Sequence, residues 1–194
     1  MGGKKIPSPT SETQATVKKC IPVLDAVTAG YIITTPIDLY VSERDGFPYY
    51  QWNTWEAIQF HPVVQAPEHP QVIDEVPYPK FINPWGIKTP KGYSVLFTQP
   101  FHRESVFKIL DGVVDTDTYF NAVNFPFQLK DRKFEGYIPK GTPMVQVIPF
   151  KRDVWKMDIG TEQDLQETLK VRNRIVQTFY DKYKNNYWTR KEFK

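Results

Sequence analysis

Carboxylates and hydroxyls crowd one short stretch of the chain, Leu110-Asp111-Gly112-Val113-Val114-Asp115-Thr116-Asp117-Thr118-Tyr119-Phe120-Asn121. An apolar pair bracketed by glycine and aspartate ends a strand with a carboxylate at its mouth, and acidic and hydroxyl side chains then follow in a turn. Further on, Ile138-Pro139-Lys140-Gly141-Thr142-Pro143-Met144-Val145-Gln146-Val147-Ile148 reads as a turn opening a strand, with Gln146 the one polar side chain on an apolar face. Other chemistry is thinly supplied. Of the three histidines, His61 and His69 lie in a proline-rich stretch and His102 stands apart, so no zinc spacing arises. His102-Arg103-Glu104 matches half of a zinc deaminase signature by chance, since the Pro-Cys-x-x-Cys half is missing. Phosphate-loop, dinucleotide and Gly-x-Ser-x-Gly motifs are absent. Cys20 follows Lys18 and Lys19, which would lower its pKa, but no base accompanies it. It is expected to be a buried or inert thiol.

The elements that must position these residues are mostly strands. Seventeen prolines in 194 residues exceed the roughly 5% of average proteins and break helices and central strands into short pieces. Aromatics, at 15% of the chain, favour strands and bring large buried area. Residues 1–16 are small and polar and read as a flexible leader, followed by a β domain over 17–160. Strand-like runs occur at Ile21–Leu24, Tyr31–Thr35, Ile37–Val41, Ser94–Thr98, Phe107–Val114, Asn121–Leu129 and Met144–Phe150. Residues 43–80 form a proline- and aromatic-rich insertion, with a hairpin expected between Gln51 and Val64. Residues 161–194 form a C-terminal helix and a basic, aromatic tail. Thr161 and Asp164 have capping-box spacing, and Leu165, Leu169, Arg172, Val176, Phe179 and Tyr183 recur at helical intervals. The helix is expected to pack on the β domain.

Composition narrows the function classes. The chain is 40% hydrophobic and 24% charged, which excludes disorder throughout. A net charge of +3 is too small for the dense basic stripe that nucleic acid demands. No apolar run reaches the ~18 residues of a membrane helix. One cysteine and the lack of a signal-peptide-like start point to a reducing, cytoplasmic setting.

Gly112-Val113-Val114-Asp115-Thr116-Asp117 resembles the Gly-Val-Ile-Asp-x-Asp-Tyr-type motif of the trimeric dUTPase and dCTP deaminase superfamily. Gly141 through Ile148 looks like that superfamily's later Gly-Asp-Arg-Ile-Ala-Gln-Leu-Ile-type motif, with Thr142 and Pro143 in place of the aspartate and arginine. Pro90-Lys91-Gly92-Tyr93 is similar to its Pro-x-Gly-Tyr turn, Arg103-Glu104-Ser105 stands at its Arg-Ser-Ser, and Asp38-Leu39-Tyr40 matches its first motif weakly. The resemblance spans roughly residues 30–150 and implies a mainly β fold with a β-clip core and a C-terminal α-helix, assembled as a homotrimer. It implies that Asp115 orients and deprotonates a water, that Tyr119 stacks near a sugar, and that Ser105 and Gln146 contact phosphate oxygens beside Arg103. Magnesium would then be carried mainly by the triphosphate of a nucleotide ligand and by water. Only Val106–Asp111 lies where the superfamily has its base-reading hairpin, and its glycine-rich arm is replaced by the Thr161 helix.

A closer likeness is to a family of uncharacterised phage and bacterial proteins. It is carried by Gly112–Asp117, Asn124-Phe125-Pro126-Phe127, Gly141-Thr142-Pro143 and Ile148-Pro149-Phe150-Lys151-Arg152, and implies host cytoplasm if phage-encoded. Two expectations therefore compete: a nucleotide-binding protein that hydrolyses a pyrimidine nucleoside triphosphate, and a non-catalytic structural or interaction protein on the same scaffold. A third, a sugar-binding module, rests on Trp52, Trp55 and Tyr49-Tyr50.

Overall fold

A computed structural model describes residues 5–8, 11–15, 20–53, 56–62, 65, 78–176 and 182–193. The chain is mainly β and divides into two compact units, Ala29–Arg152 and a second made of residues 1–28 with 153–194.

The Ala29–Arg152 unit carries three antiparallel sheets. The strands in chain order are β3 (Tyr31–Thr34), β4 (Leu39–Arg44), β5 (Phe47–Gln51), β6 (Ile58–His61), β7 (Tyr78–Phe81), β8 (Tyr93–Thr98), β9 (Phe107–Ile109), β10 (Gly112–Val114), β11 (Phe125–Leu129), β12 (Gly136–Ile138) and β13 (Pro143–Lys151). The first sheet runs β10-β8-β13-β3, the second β6-β7-β11-β9 and the third β12-β4-β5. Alternation along β11, with Phe125, Phe127 and Leu129 buried between half-buried neighbours, places one face on the core. There Phe127 stacks on Phe81 with ring centroids 4.0 Å apart, and Phe107 meets both rings edge-on. Phe97 against Phe125 and Tyr50 against Phe127 bind the other two sheets to this cluster. Burial pushes the Tyr50 phenol above its ordinary pKa.

Several expectations change. The run at Phe107–Val114 is two strands in different sheets, because the chain leaves the second sheet at Leu110-Asp111 and joins the first. Gln51–Val64 is not a hairpin: β5 pairs with β4 across the Asp45-Gly46 turn, whereas β6 pairs with β7. Both turn residues have positive φ, 53° and 83°, which suits the type I′ geometry that a two-residue hairpin favours. Residues 43–80 thus supply strands to two of the three sheets, and Tyr50, Ala57 and Ile58 to the core. Trp55, Val63, Val64, His69 and the prolines at 67, 70 and 77 lie outside the described residues. Pro149 sits in β13 beyond the end of the β3 ladder, where a missing N–H removes no β3 bond.

The second unit holds β1 (Lys5–Ser8) and β2 (Ser11–Ala15), paired antiparallel within the stretch read as a leader. It also holds α1 (Ile21–Thr28), α2 (Glu162–Val176) and α3 (Lys182–Asn186). Ile21–Leu24 is helix rather than strand. Pro22 falls in the first turn, where a missing N–H costs nothing, and Leu24 N–H closes that turn onto the Cys20 carbonyl at 3.0 Å. Cys20 is exposed, not buried. The capping box at α2 forms as its spacing predicts: the Asp164 carboxylate accepts from Thr161 N–H at 2.6 Å, and Thr161 Oγ1 accepts from Asp164 N–H at 3.4 Å. The helix leaves Leu165, Val171 and Ile175 exposed rather than burying them. Phe179 lies outside the described residues. The C-terminal tail docks on α1, where Asp25 accepts from Trp188 Nε1 at 2.9 Å and from Lys191 Nζ at 2.7 Å. The Lys191 hydrogen bond, with help from Trp188, holds the Asp25 carboxyl below its usual range.

Candidate functional site

Asp115 stands just past β10, at the end of the first sheet where the Lys91-Gly92 turn opens β8. Its Oδ1 accepts from Ser94 Oγ at 2.6 Å and lies 3.1 Å from the Arg152 guanidinium. Arg152 follows β13 and is tied to the same turn by its N–H bond to the Gly92 carbonyl. Its guanidinium forks onto Asp117 at 2.9 and 2.5 Å. Gly92 N–H adds a third bond to Asp117, at 2.8 Å. Between the two aspartates, Thr116 is buried with its hydroxyl 2.7 Å from that of Thr89.

The two carboxylates differ in consequence. The Asp117 side chain is 3% exposed and that of Asp115 is 59% exposed. The Arg152 fork, followed by the Gly92 bond, lowers the Asp117 pKa to about 2. The same pair raises the Arg152 pKa above its ordinary value. Asp117 is therefore the anchor of a closed ion pair, and Asp115 is its solvent-facing edge. Tyr119, on the same turn, is exposed, and its hydroxyl accepts from Asn121 Nδ2 at 3.3 Å.

Gln146 lies at the other end of the sheet. It is opposite Thr98, whereas Asp115 is beside Ser94. Four residues of antiparallel strand separate these stations, about 14 Å at ~3.4 Å per residue. Gln146 is 1% exposed. Its Oε1 accepts from Phe101 N–H at 2.9 Å and its Nε2 donates to the Ala29 carbonyl at 2.7 Å. Its amide thus fastens the loop after β8 to the start of β3. Arg103 and Ser105 follow on that loop, with Arg103 exposed and Ser105 Oγ accepting from Phe107 N–H at 3.3 Å. His102, beside them, takes a positive φ of 55° in the same turn.

Within one chain, the five residues singled out from sequence therefore form two groups. Asp115 and Tyr119 share one end of the first sheet, and Arg103, Ser105 and Gln146 gather at the loop beyond its other end. Sequence reasoning missed Arg152 as a site residue. It lies 35 residues from Asp117, and only the β8–β13 register brings it there. No motif spacing encodes such a pair.

Among the described residues, no group of three or more His, Cys, Asp or Glu side chains could hold a metal ion. Asp115 Oδ1 already faces a guanidinium, whose charge repels a divalent cation at that place. The residues present do not fit a magnesium site held by this turn. Among the described residues, no helix is long and apolar enough to cross a membrane.

A separate cleft of about 690 Å³ runs along β3, between Ile33 and Thr34 on one side and Pro84, Trp85 and Ile87 on the other, with Lys140 at its rim. Of the aromatics read as a sugar platform, Tyr50 is buried and Trp52 packs against the core, while Tyr49 lies under the Arg44 guanidinium at 3.8 Å. Comparison with known proteins yields no matching family model, no matching curated protein and no matching solved structure.

Proposed function

We propose that this chain is a non-catalytic interaction protein, with the mainly β unit serving as a scaffold. One observation carries the reading: the residues that would run a hydrolysis are divided between the two ends of the first sheet, and Gln146 is spent on internal bonds. Gln146 bridges two backbone segments, Ser105 caps its own loop, and Asp115 is held by Ser94 and Arg152. The exposed edge of Asp115 is the one candidate base on its turn, but binding groups some 14 Å away along the strands do not serve the same phosphate.

The dUTPase-like reading stays as the second proposal, favoured by the exposure of Asp115 and Tyr119 on one turn. In that reading the two groups of residues meet across a boundary between copies of a β-clip trimer. A panel of deoxynucleoside triphosphates with magnesium separates the two, scored for melting temperature and pyrophosphate release. The scaffold reading predicts no shift and no release. Release that disappears in Asp115→Asn would establish the hydrolase instead.

A further inference from the structure

The segment that follows β13, Asp153-Val154-Trp155-Lys156-Met157-Asp158-Ile159-Gly160, belongs to no helix or strand. Its apolar side chains are almost wholly in water: Val154 is 102% exposed, Trp155 87%, Met157 93% and Ile159 95%. Single exposed apolar residues are ordinary, but four in six positions are a patch that soluble surfaces avoid. The spacing adds direction. Trp155, Met157 and Ile159 alternate with Lys156 and Asp158, the period-two pattern of a strand that buries one face. This segment has the sequence of a strand but, among the described residues, joins no ladder.

The Ala29–Arg152 unit has the complementary feature. Among the described residues β3 terminates its sheet, and a terminal strand is a template for pairing with an added segment. The cleft beside it is lined by Ile32, Ile33, Ile87 and the exposed Trp85, an apolar slot into which alternate side chains of an added strand fit.

We infer that residues 153–159 are an assembly arm that adds as a strand along β3 of a second copy of this chain. The area suits a partner of this kind. Trp155 alone brings roughly 150–250 Å², Met157 and Ile159 accompany it on the same face, and two reciprocated arms with their clefts reach the ~1,200 Å² at which stable interfaces begin. A second copy always supplies both the arm and the cleft, so the interface needs no other gene product.

This inference gives the scaffold reading its partner, and the experiment separates the two. The full chain is examined by light scattering after size exclusion. Beside it run an arm variant (Trp155→Asp with Met157→Asp) and a cleft variant (Trp85→Asp with Thr34→Lys), both altered only at exposed positions. The expected result is an oligomer for the wild type and 22.7 kDa monomers for both variants, each retaining its β circular dichroism. Cysteines placed at Ile159 and Thr34 in a Cys20→Ser background are expected to cross-link between copies when an arm-only and a cleft-only cysteine chain are mixed. A monomeric wild type overturns the inference, as does an oligomer that both variants leave intact. Loss of assembly in the arm variant alone overturns the assignment to β3. An assembled protein that also releases pyrophosphate leaves the arm standing and overturns the non-catalytic reading.

Discussion

The Ala29–Arg152 unit and the segment after it treat unmatched groups in opposite ways. In the β unit, buried polar groups find protein partners: Gln146, Thr116 and Asp117 each close bonds between elements far apart in sequence. Gln99 Nε2 is the single buried side-chain donor or acceptor, among the described residues, without one. Residues 154–159 instead leave their apolar groups unmatched, in full contact with water. A buried polar atom without a partner costs about 1–3 kcal/mol, so folding selects against it within one chain. An exposed apolar side chain carries no such local penalty and waits for a surface to cover it. Polar satisfaction therefore marks what is complete in the monomer, and apolar exposure marks what is not.

Four substitutions test that contrast, and the largest effect belongs to a residue with no side chain. Gly30 has φ +65°, and a Cβ there would stand 1.9 Å from the Val147 carbonyl oxygen. Gly30→Ala is expected to lose more than the ~1–3 kcal/mol that a sparsely populated backbone region costs by itself, as read by urea denaturation. Next comes Gln146→Leu, which keeps the volume but strands Phe101 N–H and the Ala29 carbonyl. A loss of about 1–3 kcal/mol per group left buried is expected. An unchanged midpoint would mean that the amide does not hold those segments.

The third change concerns acid. The Asp117 pKa is depressed to about 2, below the ~3.9 of an unfolded chain. Its contribution to stability is therefore complete above pH 4 and fades as pH falls toward 2. Asp117→Asn should flatten the decline of stability in that window, beyond what Asp25 and Asp164, also depressed, contribute. An unaltered acid limb would contradict the ion-pair assignment. The smallest effect is expected in the arm. Trp155→Asp should shift the unfolding free energy of the isolated monomer by no more than ~0.5 kcal/mol, because the indole touches little.

The same contrast explains what was legible in the sequence. β8 and β13 read clearly because apolar runs follow Pro-x-Gly turns, and α2 read clearly because its capping box is local. The first turn of α1 was hidden because Ile21 and Val23 favour strands, and only the Leu24 bond to Cys20 with Pro22 in the first turn reverses that preference. The break between β9 and β10 was hidden because Leu110-Asp111 carries no glycine or proline to mark a change of sheet. Gln146 was visible as an anomaly on an apolar face, but its partners lie 45 and 117 residues away. The arm had a signal, the alternation Trp155-Lys156-Met157-Asp158-Ile159, although a period of two says nothing about which strand lies alongside.

Hydrogen exchange reads the arm's own amides in the intact protein. In the assembled wild type, amides of residues 154–159 are expected to exchange slowly, and those of the Trp85→Asp/Thr34→Lys variant at the rate of free chain. Fast exchange across 154–159 in the wild type, at a concentration where the protein is oligomeric, would contradict the arm and the account built on it.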